Sequence, residues 1–193
     1  MSARRFDNRQ LQIYNGCCFQ FLSGGVIMLP EEIAKFIGQS IGVVACEVEK
    51  GSIKRFADAV DDPNPLYWDE KYAGKSRYGS IIAPPGFFGW PVNIPRGMTF
   101  QRPTDISDPP EATENMRVAL FKAGFGRVVD GGIEYEFFQP VRAGDMLSAK
   151  SMIKDIIERE GKTGKMAFVI IETAYHNQKD ELVAKARATA IYR

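Results

Sequence analysis

Hydrophobic and polar residues alternate cleanly only in the last third of this chain. In GGIEYEFFQPV, Ile133, Tyr135 and Phe137 alternate with Glu134 and Glu136, the period-two pattern of a half-buried strand. DMLSAKSMIKDIIERE, KMAFVIIETAYHNQ and ELVAKARATAIYR follow, separated by the turn signals GKTG and NQKDE. Long strands joined by short polar turns predict an antiparallel meander. The earlier pattern is helical and shorter. Pro30 to Ile37 predicts a short helix, with Pro30 in its first turn, Glu31 and Glu32 against its dipole, and Gly38 ending it. GVVACEVEKG, Gly42 to Gly51, predicts a strand. SIKRFADAVDD predicts a helix with Ser52 as N-cap and Ile53, Phe56 and Val60 on one face. IIAPPGFFGWP is an apolar segment punctuated by Pro84, Pro85 and Pro91, and a proline-bearing loop runs from Pro91 to Pro110. Long loops of this kind tend to serve as lids or covers. EATENMRVALFKAGFG predicts a further helix with Gly124 near its end. Helices early and strands late give an α+β fold, its helices on one face of a single sheet.

Composition narrows the function classes. The chain has 193 residues, 45% of them hydrophobic, enough for one domain with a sizeable core. Its net charge of +1 offers no field for nucleic acid or an anionic membrane. No apolar run approaches the ~20 residues of a membrane span. Cys17 and Cys18 are adjacent and Cys46 stands alone, which suits neither a disulfide framework nor a zinc site and fits a reducing cytoplasm. Residues 1–27 form a separate unit, a leader or arm ahead of a domain over residues 28–193. The leader has no regular period and lacks the apolar core and cleavage site of a secretory signal. Ser23-Gly24-Gly25 can be encoded by a bacterial ribosome-binding sequence just before the Met28 codon. Met28 is therefore expected to be the true start; a genuine N-terminal arm is the alternative. A native terminus at residue 1 or 2 by mass spectrometry would exclude the first.

The richest chemistry lies in AVDDPNPLYWDEKYA, Ala59 to Ala73. On residue types alone, Asp62 and Asn64 read as loop residues that bind their own backbone. With the strand and helix before it, the Pro-Gly segment after it and the meander beyond, the stretch resembles the MaoC-type dehydratases and (R)-specific enoyl-CoA hydratases. More narrowly, the IAPP and FFQPVRAGD phrases are similar to the FAS1-like dehydratase branch, over roughly Glu31 to Arg193. The resemblance implies a single hot-dog domain, a long antiparallel sheet wrapped around a central helix. The family signature reads Gly-Asp-x-Asn-Pro-(Leu/Ile/Val)-His, then five residues, then Ala or Ser. Asp62, Asn64, Pro65, Leu66 and Ala73 match it, while Asp61 stands in place of Gly and Tyr67 in place of the catalytic His.

The replacement matters. In the family, Asp and His hold and activate a water, or take the α-proton in reverse. An imidazole titrating near ~6.5 suits that exchange, and a phenol near ~10 is a poor base. Loss of such a group costs on the order of 10²–10⁴ in rate. His176 is the sole histidine, expected as a plain surface or strand-end residue. The expected site is thus a degenerate dyad of Asp62 and Tyr67 with Asn64 holding the loop, and no metal or cofactor. Gly86 aligns with the glycine opening the family's central helix, either donating its N–H to a thioester oxygen or allowing close packing. Phe87, Phe88 and Trp90 are core residues or walls of an acyl pocket.

Hot-dog domains pair, so the resemblance implies a dimer in fatty-acid-type metabolism acting on an acyl-CoA or acyl-ACP thioester. The leading reading is the non-catalytic subunit of a heteromeric enoyl-CoA hydratase or 3-hydroxyacyl-thioester dehydratase, beside a second hot-dog subunit bearing the intact dyad. The alternatives are a self-sufficient homodimeric hydratase using Asp62, a non-catalytic acyl-thioester binding module, and a thioesterase. Against the last, no Asp or Glu lies between Ser80 and Phe100, where a thioesterase would place its carboxylate.

Overall fold

A computed structural model gives the structure, and it describes residues 26–27, 29–91, 111–161 and 164–193. The expectations for the leader up to residue 25, for the loop over 92–110 and for the centre of the GKTG turn lie outside the described residues. The described strands form one antiparallel sheet in the order β3-β2-β5-β6-β7-β4. Its long members are β2 (Ser40–Glu47), β4 (Val128–Phe137), β5 (Met146–Gly161), β6 (Gly164–His176) and β7 (Leu182–Tyr192). The two-residue strand β3 (Trp90–Pro91) pairs with β2, and β1 (Val26–Ile27), from within the expected leader, pairs with β5 at Glu158 and Arg159. The meander β5-β6-β7 is the predicted one, and β4 adds to β7 as an edge.

Pairing fixes which residues share a face, because directly opposed residues in an antiparallel ladder point the same way. Ala149, Tyr175 and Ala184 are opposed across β5, β6 and β7, as are Ile156, Val169 and Ala190. They line the inner face, where two core clusters lie at opposite ends. One gathers Val48, Ile53, Leu66, Tyr67, Phe87, Phe88, Leu147 and Val183. The other gathers Ile33, Phe36, Met116, Leu120, Ile153, Ile156, Val169 and Tyr192. On β4, Ile133, Tyr135 and Phe137 face inward as the alternation predicts, and Glu134 and Glu136 oppose Arg187 and Lys185 on the outer face.

The helices differ from expectation in informative ways. α1 (Glu31–Ala34) is a single turn with Pro30 at its N-cap, and Gly38 closes the following turns at φ +86°. α2 (Lys50–Ala59) begins before Ser52, and its N-cap is Glu49. The Ser52 hydroxyl donates to Glu49 Oε2 (3.1 Å) and accepts from Arg55 Nη2 (2.8 Å) inside the first turn, so it is spent on side chains rather than on the helix end. Ile53 and Ala57 are fully buried, but Val60 is exposed because the helix has already ended. The short helices α3 (Pro65–Trp68) and α4 (Glu70–Lys75) follow.

The central helix is not where the sequence placed it. No helix opens at Gly86; the described chain from Pro84 to Trp90 is a turn and extended backbone. Phe87 N–H donates to the Pro84 carbonyl (3.1 Å), and Gly86 takes φ +91°, the geometry that Pro-Gly at the centre of a type II turn favours. Gly89, at φ +82°, lies so close to the β2 backbone that a Cβ would run into the Glu47 carbonyl. The helix on the inner face is instead α5 (Glu111–Lys122), which buries Met116 and Leu120 and is followed by Gly124 at φ +97°.

Candidate functional site: a dyad loop with a buried phenol

The DDPNP loop is held by its own side chains. Asp61 sits at φ +53°, a left-handed conformation that Asp tolerates better than most residues, which explains how it stands where the family has glycine. Asp62 N–H returns to the Ala57 carbonyl (2.9 Å), and its Oδ1 accepts from Asn64 N–H (3.1 Å). Trp68 Nε1 donates to the Asp62 carbonyl (3.0 Å). Asn64 caps α3, its Oδ1 accepting from Leu66 N–H (3.1 Å), with Pro65 in the first turn. Asp69 then caps α4 by accepting from Lys71 N–H and Tyr72 N–H (2.8 and 3.1 Å).

This scaffold turns Tyr67 into the core, where it is 3% exposed. Burial pushes its phenol up to about 12, the negative charge of Asp62 adds to the rise, and a hydrogen bond with the Asn64 side chain pulls the other way. The group at the histidine place is therefore a neutral hydrogen-bonding hydroxyl throughout the physiological range.

Tyr67 borders a cleft of about 320 Å³, with Leu66, Tyr78, Ile82, Phe87, Phe88 and Phe137 among its walls. Phe88 stacks on Tyr175 of the inner face, ring centroids 4.1 Å apart and planes 13° from parallel, and lies 5.5 Å from Tyr135. Burial raises the Tyr175 phenol to about 12 as well, with smaller contributions from Tyr135 and Cys46. Cys46 is itself buried, its thiol pushed up by desolvation, which makes it a packing residue rather than a nucleophile.

Of the residues singled out in the sequence, the structure brings Tyr67, Phe87 and Phe88 together at the cleft. Asp62, Asn64, Gly86 and Trp90 do not line it. Trp90 is 58% exposed and meets Phe87 edge-on at 5.9 Å, so it is no core residue. His176 ends β6 opposite Ser148, facing the outer side while its neighbour Tyr175 faces in. It cannot serve the cleft, and it is half-buried rather than on the surface, its Nδ1 buried without a hydrogen-bond partner. Sequence reasoning missed Arg77, Tyr78 and Tyr175. The strand parity that placed Ile133, Tyr135 and Phe137 would have found Tyr175 on the same inner face; Arg77 and Tyr78 carried no periodic signal. Among the described residues no group of three or more His, Cys, Asp or Glu side chains could hold a metal ion, and no helix is long and apolar enough to cross a membrane.

Comparison with known proteins agrees with this geometry. A UPF0336 protein of Thermobifida fusca is 36% identical over 110 residues, which is 57% of this chain and 62% of that protein, so the match spans less than two thirds of the relative's length. A probable enoyl-CoA hydratase alpha subunit of Thermomonospora curvata is 27% identical over 139 residues, 70% of this chain and 41% of that protein. In fold, the chain is similar to a structure of the ChsH1-ChsH2 complex from Mycobacterium tuberculosis, with TM-score 0.67 and 20% identity over 83% of this chain and 93% of that one. It is also similar to the HadBC (3R-hydroxyacyl-ACP dehydratase) complex of the same organism, with TM-score 0.52 and 21% identity over 79% and 96%. The model of the FAS1-like dehydratase domain region matches residues 35–186, most of the chain, all of the dyad loop and the meander into the first half of β7, and the protein belongs to that family of hot-dog domains.

Proposed function

We propose that this chain is the non-catalytic subunit of a heteromeric enoyl-CoA hydratase or 3-hydroxyacyl-thioester dehydratase. The observation that carries the reading is Tyr67: at the place of the family's general base stands a buried phenol held neutral at about 12. A phenol that stays protonated at neutral pH is a poor general base there. The hydrogen bonds of Asp62 and Asn64 hold the loop's shape, while Phe87 and Phe88 shape the acyl end of a shared pocket. The Asp-His dyad comes from a second hot-dog subunit. Two neighbours in fold are two-protein complexes, and one relative is named an alpha subunit, which supports a partner.

The edge strand β4 supports it too. Among the described residues one side of this ten-residue strand has no partner, and Val128, Ile133 and nearby Phe138 are exposed by 57%, 52% and 47%. An edge strand with exposed apolar side chains offers a template for pairing with another chain. The experiment is hydration of crotonyl-CoA, read as loss of its conjugated absorbance. The chain alone is expected to be inert and to support turnover when mixed with a dyad-bearing hot-dog chain encoded nearby. Fast turnover by the chain alone, abolished by Asp62→Ala, would replace this reading with a homodimeric hydratase that works without histidine.

A further inference from the structure

We infer that Arg77 is the anchor for a phosphate on the arm that carries the acyl thioester, placed by Tyr78 at the mouth of the Tyr67 cleft. This rests on the function proposed above and adds the residue that would hold the carrier's phosphate. The cleft walls are largely apolar, and the exposed residues among its lining are Arg77, Pro85 and Phe138, which therefore form its mouth. The Arg77 guanidinium lies over the Tyr78 ring, 4.8 Å from its centroid, and its Nη2 donates to Tyr78 Oη at 2.6 Å. A second guanidinium, that of half-buried Arg142, approaches the same residue, Nε donating to the Tyr78 carbonyl at 3.4 Å.

Neither arginine has a carboxylate within ion-pair distance among the described residues. Arg55, Arg117 and Arg187 each do, at 3.8, 3.4 and 2.8 Å. Arg77 is thus pre-ordered by an aromatic face and a hydroxyl, with most of its donor fork left for an anion. The planar fork matches phosphate oxygens two at a time. With a net charge of +1, the chain offers this as a local charge rather than a general basic field. A positive mouth on an apolar cleft fits a ligand with an apolar acyl end and an anionic far end. Pantetheine thioesters have that form, their phosphate belonging either to coenzyme A or to the 4′-phosphopantetheine of an acyl carrier.

The test uses the full chain, with any hot-dog partner that co-purifies, and measures binding of crotonyl-CoA, crotonyl-4′-phosphopantetheine and crotonyl-pantetheine by calorimetry. Arg77→Ala is expected to weaken the phosphate-bearing ligands by about tenfold and to leave crotonyl-pantetheine unchanged, the size of one lost charge-assisted contact. Arg77→Lys should recover part of the loss, and the wild-type advantage should shrink with added salt. A loss confined to crotonyl-CoA places the contact on the nucleotide phosphates; an equal loss for both phosphate-bearing ligands places it on the shared 4′-phosphate. Either supports the inference. An unchanged affinity for all three, or an equal loss that includes crotonyl-pantetheine, overturns it while the proposed function stands. If the wild type binds none of the three, the proposed function fails and this inference with it. An unchanged melting temperature of Arg77→Ala establishes that the exposed side chain is not needed for folding.

Discussion

Two residues of the dyad loop show how a motif departs from its family without losing its shape. Asp61 holds a left-handed conformation at φ +53° that costs a non-glycine residue on the order of 1 kcal/mol. Asp61→Gly is therefore expected to be neutral or slightly stabilising in urea denaturation, and Asp61→Val to destabilise by about 1–2 kcal/mol. Tyr67 and Tyr175 make an alkaline prediction. Burial raises both phenols to about 12 in the folded chain, while the unfolded chain ionises them near ~10. Their contribution is fully present below that unfolded value and is lost as pH rises through the folded one, because the unfolded state gives up its protons first. Melting temperature should fall steeply between about pH 10 and 12, and Tyr67→Phe should flatten the fall. A tyrosinate absorbance step from Tyr67 at or below the ordinary value would contradict the burial argument.

At the scale of elements, the segment from Pro84 to Trp90 replaces a helix with a turn packed against β2. Gly89 is the residue that permits this, since both its positive φ and the approach of the Glu47 carbonyl exclude a side chain. Gly89→Ala is expected to cost at least about 2 kcal/mol, measured by chemical denaturation. On the outer face, Glu172 bridges Lys154 (3.5 Å) and Arg187 (2.8 Å), and Arg187 reaches Glu136 at 3.9 Å. Burial would raise the Glu172 carboxyl, but the Arg187 hydrogen bond and the Lys154 charge outweigh it and hold the group below the usual range. Its contribution is present above the unfolded carboxylate value and disappears as pH falls through the lowered one. Glu172→Gln should thus be less stable than wild type at neutral pH, and the gap should close in acid. An unchanged gap at low pH would mean that lost packing, not charge, causes the difference.

For the whole molecule, the sheet ends at β4, which pairs only with β7 among the described residues. Ile133 is inward-facing by register yet 52% exposed, which makes it the residue that tests the proposed pairing. Ile133→Lys is expected to abolish association with a partner in analytical ultracentrifugation while leaving the chain folded by circular dichroism. Association that survives the substitution would move the interface elsewhere. Two wider surface grooves, of about 990 Å³ between α1 and α5 and about 750 Å³ beside Gly126, lie away from the dyad loop. Volume alone does not mark a site; the narrower cleft carries the convergent polar groups.

Alternation in the last third determined the meander, its faces and the α+β class, because side-chain period two is a local property that register merely repeats. The order Asp62, Asn64, Pro65, Leu66 and Ala73 pointed to the family, since each residue closes a hydrogen bond or fills a fixed place in the loop and the two short helices after it. Tertiary structure alone decided the rest. Whether Gly86 opens a helix depended on how closely β2 approaches Gly89, a contact 42 residues away in sequence from Glu47 to Gly89. Whether Ser52 caps a helix depended on where Glu49 and Arg55 turn their charges. That Tyr67 is a neutral phenol facing a cleft, with Arg77 poised at its mouth, followed from burial and from pairs of side chains brought together by folding. No spacing along the chain encodes a distance across it.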